Sequence, residues 1–514
     1  MKATRRSVLA GSMAVAGSWL LAACSANSPS NSVSQAFATP SALTPSPGQH
    51  VVTRTITASA FTADLGGVNV NTWGYGNTLP GPELRASAGD LLRITLDNQL
   101  PAPTTIHWHG IQIRNAADGV PGLTQDAVTQ GTKFLYEFVA PDPGTYFFHS
   151  HQGVQLDRGL YAPLIIDDPA EPGGYDQEWV VTLDDWVDGT GRTPDQVFAD
   201  LKSSGGDDSS SSSSQGMGGM GGMGGMHGSG MGGMNGSSMG GMNGSSGSMM
   251  GDSPFGSVGD VAYPHYLING AIPAAPRTFS AKPGQRVRIR LINAASDTLF
   301  KVALGGHTMS ITHTDGYPVQ PHDTRALYIG MGERYDVLVT LADGVFPLVA
   351  QPFGKQGQAL ALVRTGAGDA PSADVHPTEL DADATRAGEL TPTDAARLPA
   401  HDVDAHADVK LAGTMSPYVW TINGDVFGKN TPIGVSEGQR VQLDVTNSSM
   451  MSHPLHLHGH TFALPNGVRK DTVVVPPMTS TSLQLQASNP GAWAMHCHNI
   501  YHAEAGMMIA LNYR

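Results

Sequence analysis

The chain has 514 residues, a formal charge of −15, 63 glycines, 35 prolines and only two cysteines. This length and composition fit a multidomain protein with many turns and exclude a disulfide-rich scaffold. The strong negative charge disfavours binding to nucleic acid and mildly favours the gathering of cations.

The first 24 residues, MKATRRSVLAGSMAVAGSWLLAAC, have the form of an export signal. An arginine pair resembles a Tat signal and precedes 16 uncharged residues, Val8 to Ala23, fewer than the ~20 of a spanning helix. The LAAC ending resembles a lipobox, which would leave a lipid on Cys24 and anchor the protein to the outer face of the cell membrane. A simple secreted protein, without the lipid, is the alternative. We expect a signal peptide at 1–23 and a disordered tether at 24–49.

One strand motif occurs three times along the chain. Each copy has a glycine turn followed by alternating apolar residues and a final asparagine: GDLLRITLDN at 89–98, GQRVRIRLIN at 284–293 and GQRVQLDVTN at 438–447. The period of two indicates a strand, and the repetition predicts three similar all-β units of ordinary domain size. We place these domains at 50–168, 169–365 and 409–514, and their strand pattern favours Greek-key β-barrels.

Two segments interrupt this pattern. The stretch 203–253 is rich in Gly and Ser and holds ten of the 21 methionines, several at a Met-Gly-Gly-Met spacing. It should be disordered, and it is either a plain linker or a binder of Cu(I), which prefers thioether ligands. The stretch 366–408 is an acidic connector, and its histidines (His376, His401 and His406) are better explained as part of a solvated linker than as a metal site.

Ten of the 20 histidines lie in four clusters with a spacing that suits strands. Alternate residues of a strand face the same side, so each His-x-His pair places two imidazoles together. Four such clusters are hard to explain by packing, and they predict metal binding. The clusters are His107 and His109; His149 and His151; His453, His456 and His458; and His496, His498 and His502.

The final cluster also contains a thiol and a thioether. Cys497 stands between His496 and His498, and Met507 follows in HCHNIYHAEAGM. Two imidazoles, a thiolate and a weak axial methionine are the ligands of a blue-copper site. Because Cys497 faces away from its two neighbours, one strand can serve two metal centres.

In order and spacing, the four clusters resemble the multicopper oxidase family over nearly all of the exported chain. The resemblance implies three cupredoxin-like domains and four copper ions: one type 1, one type 2 and two type 3. The implied type 1 ligands are His453, Cys497, His502 and Met507. The implied type 2 ligands are His107 and His456. The implied type 3 ligands are His109, His149, His151, His458, His496 and His498.

The same resemblance implies a route for electrons and protons. Cys497 would pass electrons from the type 1 site to its chain neighbours, for reduction of dioxygen to water. Asp118 resembles the acid that the family places near the cluster, and it also fits a turn before Gly119. Glu504 is a second candidate acid, displaced by one position because Ala503 occupies the place used by copper-efflux oxidases.

The electron donor is the least determined part of the prediction. Met451 matches a substrate-copper methionine of copper-efflux oxidases, but Ser449 replaces their acid, and both Met450 and Met451 could simply pack beside the type 1 ligand. The methionine-rich segment, with Met217, Met220, Met223 and Met226, resembles those of copper-resistance oxidases. However, it interrupts the second domain and not the third.

Three functional classes follow. The favoured one is a metallo-oxidase of the cell envelope acting on Cu(I), and also on Fe(II), phenols or aromatic amines, with a role in copper tolerance. The others are a laccase with organic donors and a non-enzymatic copper-sequestering lipoprotein. A nitrite-reductase type of copper protein would lack the paired type 3 histidines. Both outer domains are supplied by one chain, so we expect a monomer.

Overall fold

A computed structural model of the chain describes Phe37 and residues 41–171, 173–203 and 254–514. Within these residues, 31 strands form six sheets, accompanied by two α-helices and five 3₁₀ helices. The all-β prediction is confirmed, and the sheets occur as three pairs in three consecutive units. In the described part of the chain, no helix is long and apolar enough to cross a membrane. The predicted signal peptide, Cys24 and the methionines from Met217 to Met250 lie outside the described residues.

The first unit contains two four-stranded sheets, in the orders β2-β1-β4-β6 and β3-β8-β7-β5. Its strands are β1 (Val51–Asp64), β2 (Asn69–Tyr75), β3 (Leu84–Ser87), β4 (Leu91–Asn98), β5 (His107–His109), β6 (Lys133–Val139), β7 (Gly144–His149) and β8 (Tyr161–Asp167).

The second unit contains two six-stranded sheets, in the orders β10-β9-β12-β17-β14-β15 and β11-β19-β18-β13-β16-β20. Its elements are β9 (Gln177–Trp186), α1 (Pro194–Ser203), β10 (His265–Ile268), β11 (Arg277–Ser280), β12 (Arg286–Asn293), β13 (Phe300–Leu304), β14 (Met309–Thr314), β15 (Tyr317–Thr324), β16 (Ala326–Ile329), β17 (Arg334–Thr340), β18 (Val345–Pro352), β19 (Ala359–Arg364) and β20 (Ala384–Thr385).

The third unit contains a six-stranded sheet, β22-β21-β24-β29-β26-β27, and a five-stranded sheet, β23-β31-β30-β25-β28. Its elements are β21 (Ala405–Met415), β22 (Tyr418–Ile422), β23 (Ile433–Val435), β24 (Arg440–Asn447), β25 (His453–Leu457), β26 (Phe462–Ala463), β27 (Arg469–Lys470), β28 (Thr472–Val475), β29 (Ser480–Gln486), β30 (Ala492–Cys497), α2 (Ile500–Glu504) and β31 (Met508–Tyr513). The 3₁₀ helices are Asn115–Ala117, Gln155–Arg158, Thr378–Asp381, Ala387–Glu389 and Asp394–Ala396.

The three units share one topology. In each, the first long strand pairs in parallel with the strand of the repeated motif: β1 with β4, β9 with β12 and β21 with β24. A second parallel pair joins β3 to β8, β11 to β19 and β23 to β31 in the other sheet. Parallel neighbours cannot be joined by a tight hairpin, so these pairs require the long crossing connections of a Greek-key fold.

The middle copy of the strand motif differs from the outer two in burial. Strands β4 and β24 alternate between buried and partly exposed residues, whereas β12 is buried along almost its whole length. The polar side of β12 carries Arg288 and Arg290, which bind Asp336, and Arg290 also donates to Thr145 of the first unit. The sequence periodicity therefore predicts that β12 is a strand, but its contact with another unit determines how deeply it is buried.

The final asparagine of each motif clamps the loop that follows it. The side-chain oxygens of Asn98, Asn293 and Asn447 each accept a 2.9 Å hydrogen bond from the backbone N–H two residues later. Each side-chain amide donates to a nearby loop carbonyl and to a second carbonyl more distant in the chain, over 2.7–3.0 Å. All three asparagines are buried, which explains why the motif ends in the same residue.

Two predicted boundaries need correction. The sequence predicts a disordered tether up to residue 49, but Leu43 donates to Glu137 and accepts from Arg93, so residues 41–49 are bound to the first unit. The acidic connector was expected to be solvated, yet Leu380, Ala387, Leu390 and Ala396 are buried, and β21 already begins at Ala405. Among the described residues, the connector's three histidines belong to no group of potential metal ligands.

The clamp at Asn293 can be tested in the second unit, whose described histidines belong to no group of potential metal ligands. Asn293→Ala removes three buried hydrogen bonds and leaves two carbonyls and an N–H without partners, so we expect a loss of about 2–4 kcal/mol in the free energy of unfolding. Denaturant unfolding of the metal-free protein measures this change in the free energy of unfolding. Asn69→Ala, at an exposed position in β2, should change stability by less than about 0.5 kcal/mol, and an equal loss in both variants would argue against the clamp.

Candidate metal centres

The strand pairing brings the histidine clusters together. In the first unit β5 and β7 are antiparallel neighbours, with His107 opposite His149. In the third unit β25 and β30 are antiparallel neighbours, with His456 opposite His496. Neighbouring strands are about 4.8 Å apart, so each pair forms a compact patch of imidazoles.

The two patches face each other and together contain eight buried histidines. Four come from the first unit and four from the third. Rings from the two units stack directly: His107 on His458 with centroids 3.6 Å apart, and His109 on His456 at 3.8 Å. Within three groups, the potential ligand atoms all lie within 4.8 Å of one another. The groups are His107, His109 and His456; His109, His149 and His498; and His151, His458 and His496.

Hydrogen bonds outside the cluster fix which ring nitrogen carries the proton. The Nδ1 atoms of four rings lie 2.8–3.0 Å from backbone carbonyls, which can only accept. Nδ1 must therefore be protonated, and Nε2 keeps its lone pair. The four rings are those of His107, His149, His456 and His496.

The nitrogens left over point into the cluster. The Nε2 atoms of His107, His149 and His456, the Nδ1 atom of His109 and both ring nitrogens of His498 are buried without a hydrogen-bond partner. The Nε2 atom of His496 lies 3.0 Å from that of His458 and 3.4 Å from that of His151. Buried nitrogens without partners are costly, and metal ions bound in the cluster would satisfy one nitrogen of each of these rings.

The electrostatics of the cluster also favour neutral rings. Burial and the neighbouring imidazoles hold the pKa of most of these histidines below its usual value, to about 3 for His496. Burial likewise lowers the pKa of further rings in the cluster: His109, His149, His151, His456, His458 and His498. Neutral imidazole is the form that binds metal, so the residues present fit a group of copper ions.

A second centre lies on the other face of β30. The Sγ atom of Cys497 is 3.6 Å from the Nδ1 atoms of both His453 and His502, and these two nitrogens are 3.1 Å apart. Met507 is fully buried beside them, and its carbonyl accepts from the Cys497 N–H. A thiol, two imidazoles and an adjacent thioether match the ligand set of a blue-copper site.

The protonation state of Cys497 depends on whether a cation is bound beside it. Burial raises the pKa of the Cys497 thiol well above its usual value, so the metal-free protein holds a protonated thiol. A bound copper ion would supply the charge that releases this proton, and binding at this centre is therefore coupled to deprotonation. Trp420 packs against both imidazoles, with ring centroids 4.0 Å from His502 and 5.1 Å from His453.

Two polar residues hold the outer edges of these imidazoles. Ser449 Oγ lies 2.7 Å from Nε2 of His453. Asp260 Oδ2 accepts from Nε2 of His502 at 2.9 Å and from the Tyr418 hydroxyl at 2.6 Å. Asp260 is not recognisable from the sequence, because it lies 242 residues from His502 and no motif marks it, whereas the replacement of an acid by Ser449 is visible there.

The two candidate acids lie in different places. Asp118 is buried against the histidine cluster, with both carboxylate oxygens 3.1 Å from Nδ1 of His458 and its backbone carbonyl bound to His107. Burial raises the pKa of Asp118 above its usual value. Glu504, in α2, has Lys202 and Asp195 of α1 as its charged neighbours, and burial raises its pKa to about 7.

The methionines near the cysteine centre differ in exposure. Met450 is 68% exposed, whereas Met451 is buried and its carbonyl accepts from Asn447. Described residues on either side of the methionine-rich segment pack against residues next to this centre. Before the segment, Phe198 of α1 packs against Tyr501, and after it, Ser257 pairs with Met451.

Comparison with known proteins agrees with this architecture. Models of the multicopper oxidase family match residues 57–171, 235–368 and 402–514. The multicopper oxidase MmcO of Mycobacterium tuberculosis is 44% identical over 512 residues, which cover 97% of this chain and 95% of that protein. Copper resistance protein A of Escherichia coli is 28% identical, over 84% of this chain and 87% of that protein.

Solved structures show the same fold. Fet3p, a multicopper oxidase that functions in iron import, aligns with a TM-score of 0.71 at 19% identity, over 90% of each chain. A metallo-oxidase from Campylobacter jejuni aligns with a TM-score of 0.65 at 19% identity, over 93% of this chain and 94% of that one. At this identity the likeness concerns the fold alone.

Proposed function

Because this chain belongs to the multicopper oxidase family, and is therefore a copper-binding oxidoreductase, we propose that it couples oxidation of Cu(I) to reduction of dioxygen. Four Cu(I) ions would each lose one electron, and one dioxygen with four protons would become two waters. The convergence of unpartnered histidine nitrogens beside the Cys497 centre carries this proposal.

The copper assignments follow from the donor atoms. Type 1 copper would be held by His453, Cys497, His502 and Met507. Type 2 copper would be held by His107 and His456. One type 3 copper would be held by His109, His149 and His498, and the other by His151, His458 and His496. When bound, the type 1 copper accepts single electrons and the other three supply four-electron chemistry toward dioxygen.

The chain supplies the path between the two centres. His496 and His498 are the covalent neighbours of Cys497, and they belong to different groups of the histidine cluster. Adjacent strand residues are only ~3.3 Å apart along the chain. The peptide bonds on either side of Cys497 are therefore a short route from the thiolate to both type 3 positions.

Thioether side chains near the proposed type 1 copper support Cu(I) as the electron donor. The exposed thioether of Met450 lies just before the loop to His453, and thioethers prefer Cu(I). The methionine-rich segment, including Met217, Met220, Met223 and Met226, is flanked in the chain by Phe198 and Ser257, which contact Tyr501 and Met451 beside this centre. We propose that it supplies Cu(I) there. Fe(II), phenols and aromatic amines are further candidate donors.

Dioxygen uptake with Cu(I) as the only electron donor tests the function. The copper-loaded protein without its signal peptide should consume one dioxygen for every four Cu(I) ions. Cys497→Ser should abolish this uptake, because it removes the thiolate that joins the two centres. An oxygen electrode and spectrophotometric assay of Cu(I) measure both quantities.

The same assay separates the alternative functions. Deletion of Met217 to Met250 should reduce the rate at low Cu(I) and leave turnover of a phenol unchanged. Uptake with phenols but not with Cu(I) would make the protein a laccase. Copper binding without any uptake would make it a sequestering protein, and equal rates with and without the deletion would leave the segment as a linker.

Asp118 is proposed as the proton donor at the cluster, since it lies against His107 and His458. Asp118→Asn keeps the shape but removes the acid, so dioxygen reduction should slow by about 100-fold or more while the blue absorption stays unchanged. Glu504→Gln is the matched variant, and it should turn over normally, because the charged neighbours of Glu504 lie in α1. A normal rate in Asp118→Asn, together with a slow rate in Glu504→Gln, would make Glu504 and not Asp118 the proton donor.

The cellular location is proposed from the N-terminal sequence. Export by the Tat route and lipidation of Cys24 would anchor the protein to the outer face of the cell membrane. Cys24→Ala should then move the protein from the membrane fraction to the soluble fraction, without loss of the type 1 colour. A variant that stays in the membrane fraction as fully as the wild type would rule out the lipid anchor.

A further inference from the structure

A buried ion pair joins the second and third units behind the histidine cluster. Arg334, the first residue of β17, donates to both carboxylate oxygens of Asp471, from Nη1 at 2.7 Å and from Nη2 at 2.6 Å. Both side chains are completely buried. A two-point contact between planar groups fixes the orientation of the carboxylate as well as its position.

Asp471 and its neighbour Thr472 in turn hold two rings of the cluster. Asp471 Oδ1 lies 3.2 Å from Nε2 of His109 and 3.4 Å from Nδ1 of His456. The Thr472 hydroxyl donates to the same Oδ1 atom at 2.8 Å, and it lies 3.2 Å from Nε2 of His109 and 3.0 Å from Nδ1 of His456. These contacts leave Nδ1 of His109 and Nε2 of His456 facing the cluster without partners.

The first unit also encloses the ion pair. Nε of Arg334 donates to the carbonyl of Thr145 at 3.0 Å. The glycine that ends the HWHG motif, Gly110, lies directly against the pair: a Cβ atom there would overlap the guanidinium of Arg334 and lie 2.6 Å from Asp471 Oδ2. Three units of the chain therefore meet at this single contact.

The second unit reaches the cluster at one more point. A Cβ atom on Gly332 would lie 2.9 Å from His109 Cε1 and 2.9 Å from His498 Cδ2, so only a glycine fits against these rings. The carbonyl of Gly332 accepts from Nη1 of Arg334 at 3.0 Å. The turn before β17 is thus fastened to the same guanidinium that binds Asp471.

We propose that Arg334 is a positioning residue for the copper cluster: it orients Asp471 and Thr472, and through them the ring of His456 at the type 2 copper and the ring of His109 at a type 3 copper. None of the described histidines of the second unit belongs to the cluster. Through Arg334, the second unit nevertheless helps to shape the cluster. The proposal rests on the copper assignments made above. Partners that orient a metal-binding histidine commonly change metal affinity about 10- to 100-fold when they are lost.

Arg334→Lys tests the proposal in the copper-loaded full chain. It keeps one positive charge beside Asp471 but cannot make the two-point contact, so the two rings should lose their fixed orientation. Type 2 copper should be removed by a chelator at about 10- to 100-fold lower concentration than in the wild type. Its electron paramagnetic resonance signal should change as well, while the blue absorption of the type 1 site stays the same.

Arg288→Lys is the matched control. Arg288 is also buried in the second unit and donates to Asp336 from two nitrogens, at 2.6 and 3.2 Å, and Asp336 otherwise binds Arg290 and Thr145. If Arg334 acted only on stability, both lysine variants would lower the unfolding temperature and leave the type 2 signal as in the wild type. An unchanged signal and affinity in Arg334→Lys overturns the proposal.

Thr472→Val gives a second test that leaves the ion pair in place. It removes the hydroxyl between Asp471 and the two rings, so type 2 affinity should fall in the same direction, and an unchanged affinity counts against the proposal. The wild-type spectrum distinguishes the failure of this inference from the failure of the proposed function. A wild type without type 2 copper would overturn the copper assignment and the role of Arg334 together.

Discussion

The architecture depends on one constraint: eight imidazoles from opposite ends of the chain must be buried together with their lone pairs directed inward. Burial of an imidazole costs less free energy when its other nitrogen has a partner. For five of the eight rings, groups outside the cluster supply that partner. Backbone carbonyls bind His107, His149, His456 and His496, and Asp118 binds His458. These five rings are therefore oriented without a bound metal.

The same constraint explains why the cluster lies between units. A single unit offers one pair of neighbouring histidine strands, which is a flat patch of imidazoles and not an enclosure. Two such patches, from β5 and β7 and from β25 and β30, face each other and exclude water. The second unit then closes the remaining side with Gly332 and with the Arg334–Asp471 ion pair.

The region around Cys497 shows how a local motif is completed by distant residues. Cys497, His502 and Met507 come from one short segment, which α2 folds back so that the cysteine and the following histidine meet. Asp260 approaches from another part of the chain and accepts a hydrogen bond from the outer edge of His502, and the Tyr418 hydroxyl donates to Asp260. The acid at this centre therefore comes from the second unit, not from the position held by Ser449.

Sequence periodicity and residue chemistry by themselves determined the three all-β units, because the repeated strand motif and the His-x-His spacing are local. They also determined the copper chemistry, because thiol, imidazole and thioether side chains were already close in sequence. Only the tertiary structure decided the binding of residues 41–49, the burial of the acidic connector, and the places of Asp260, Arg334 and Asp471. These features depend on contacts between residues far apart in the chain, and charged or polar side chains such as these look like solvated surface until another unit covers them.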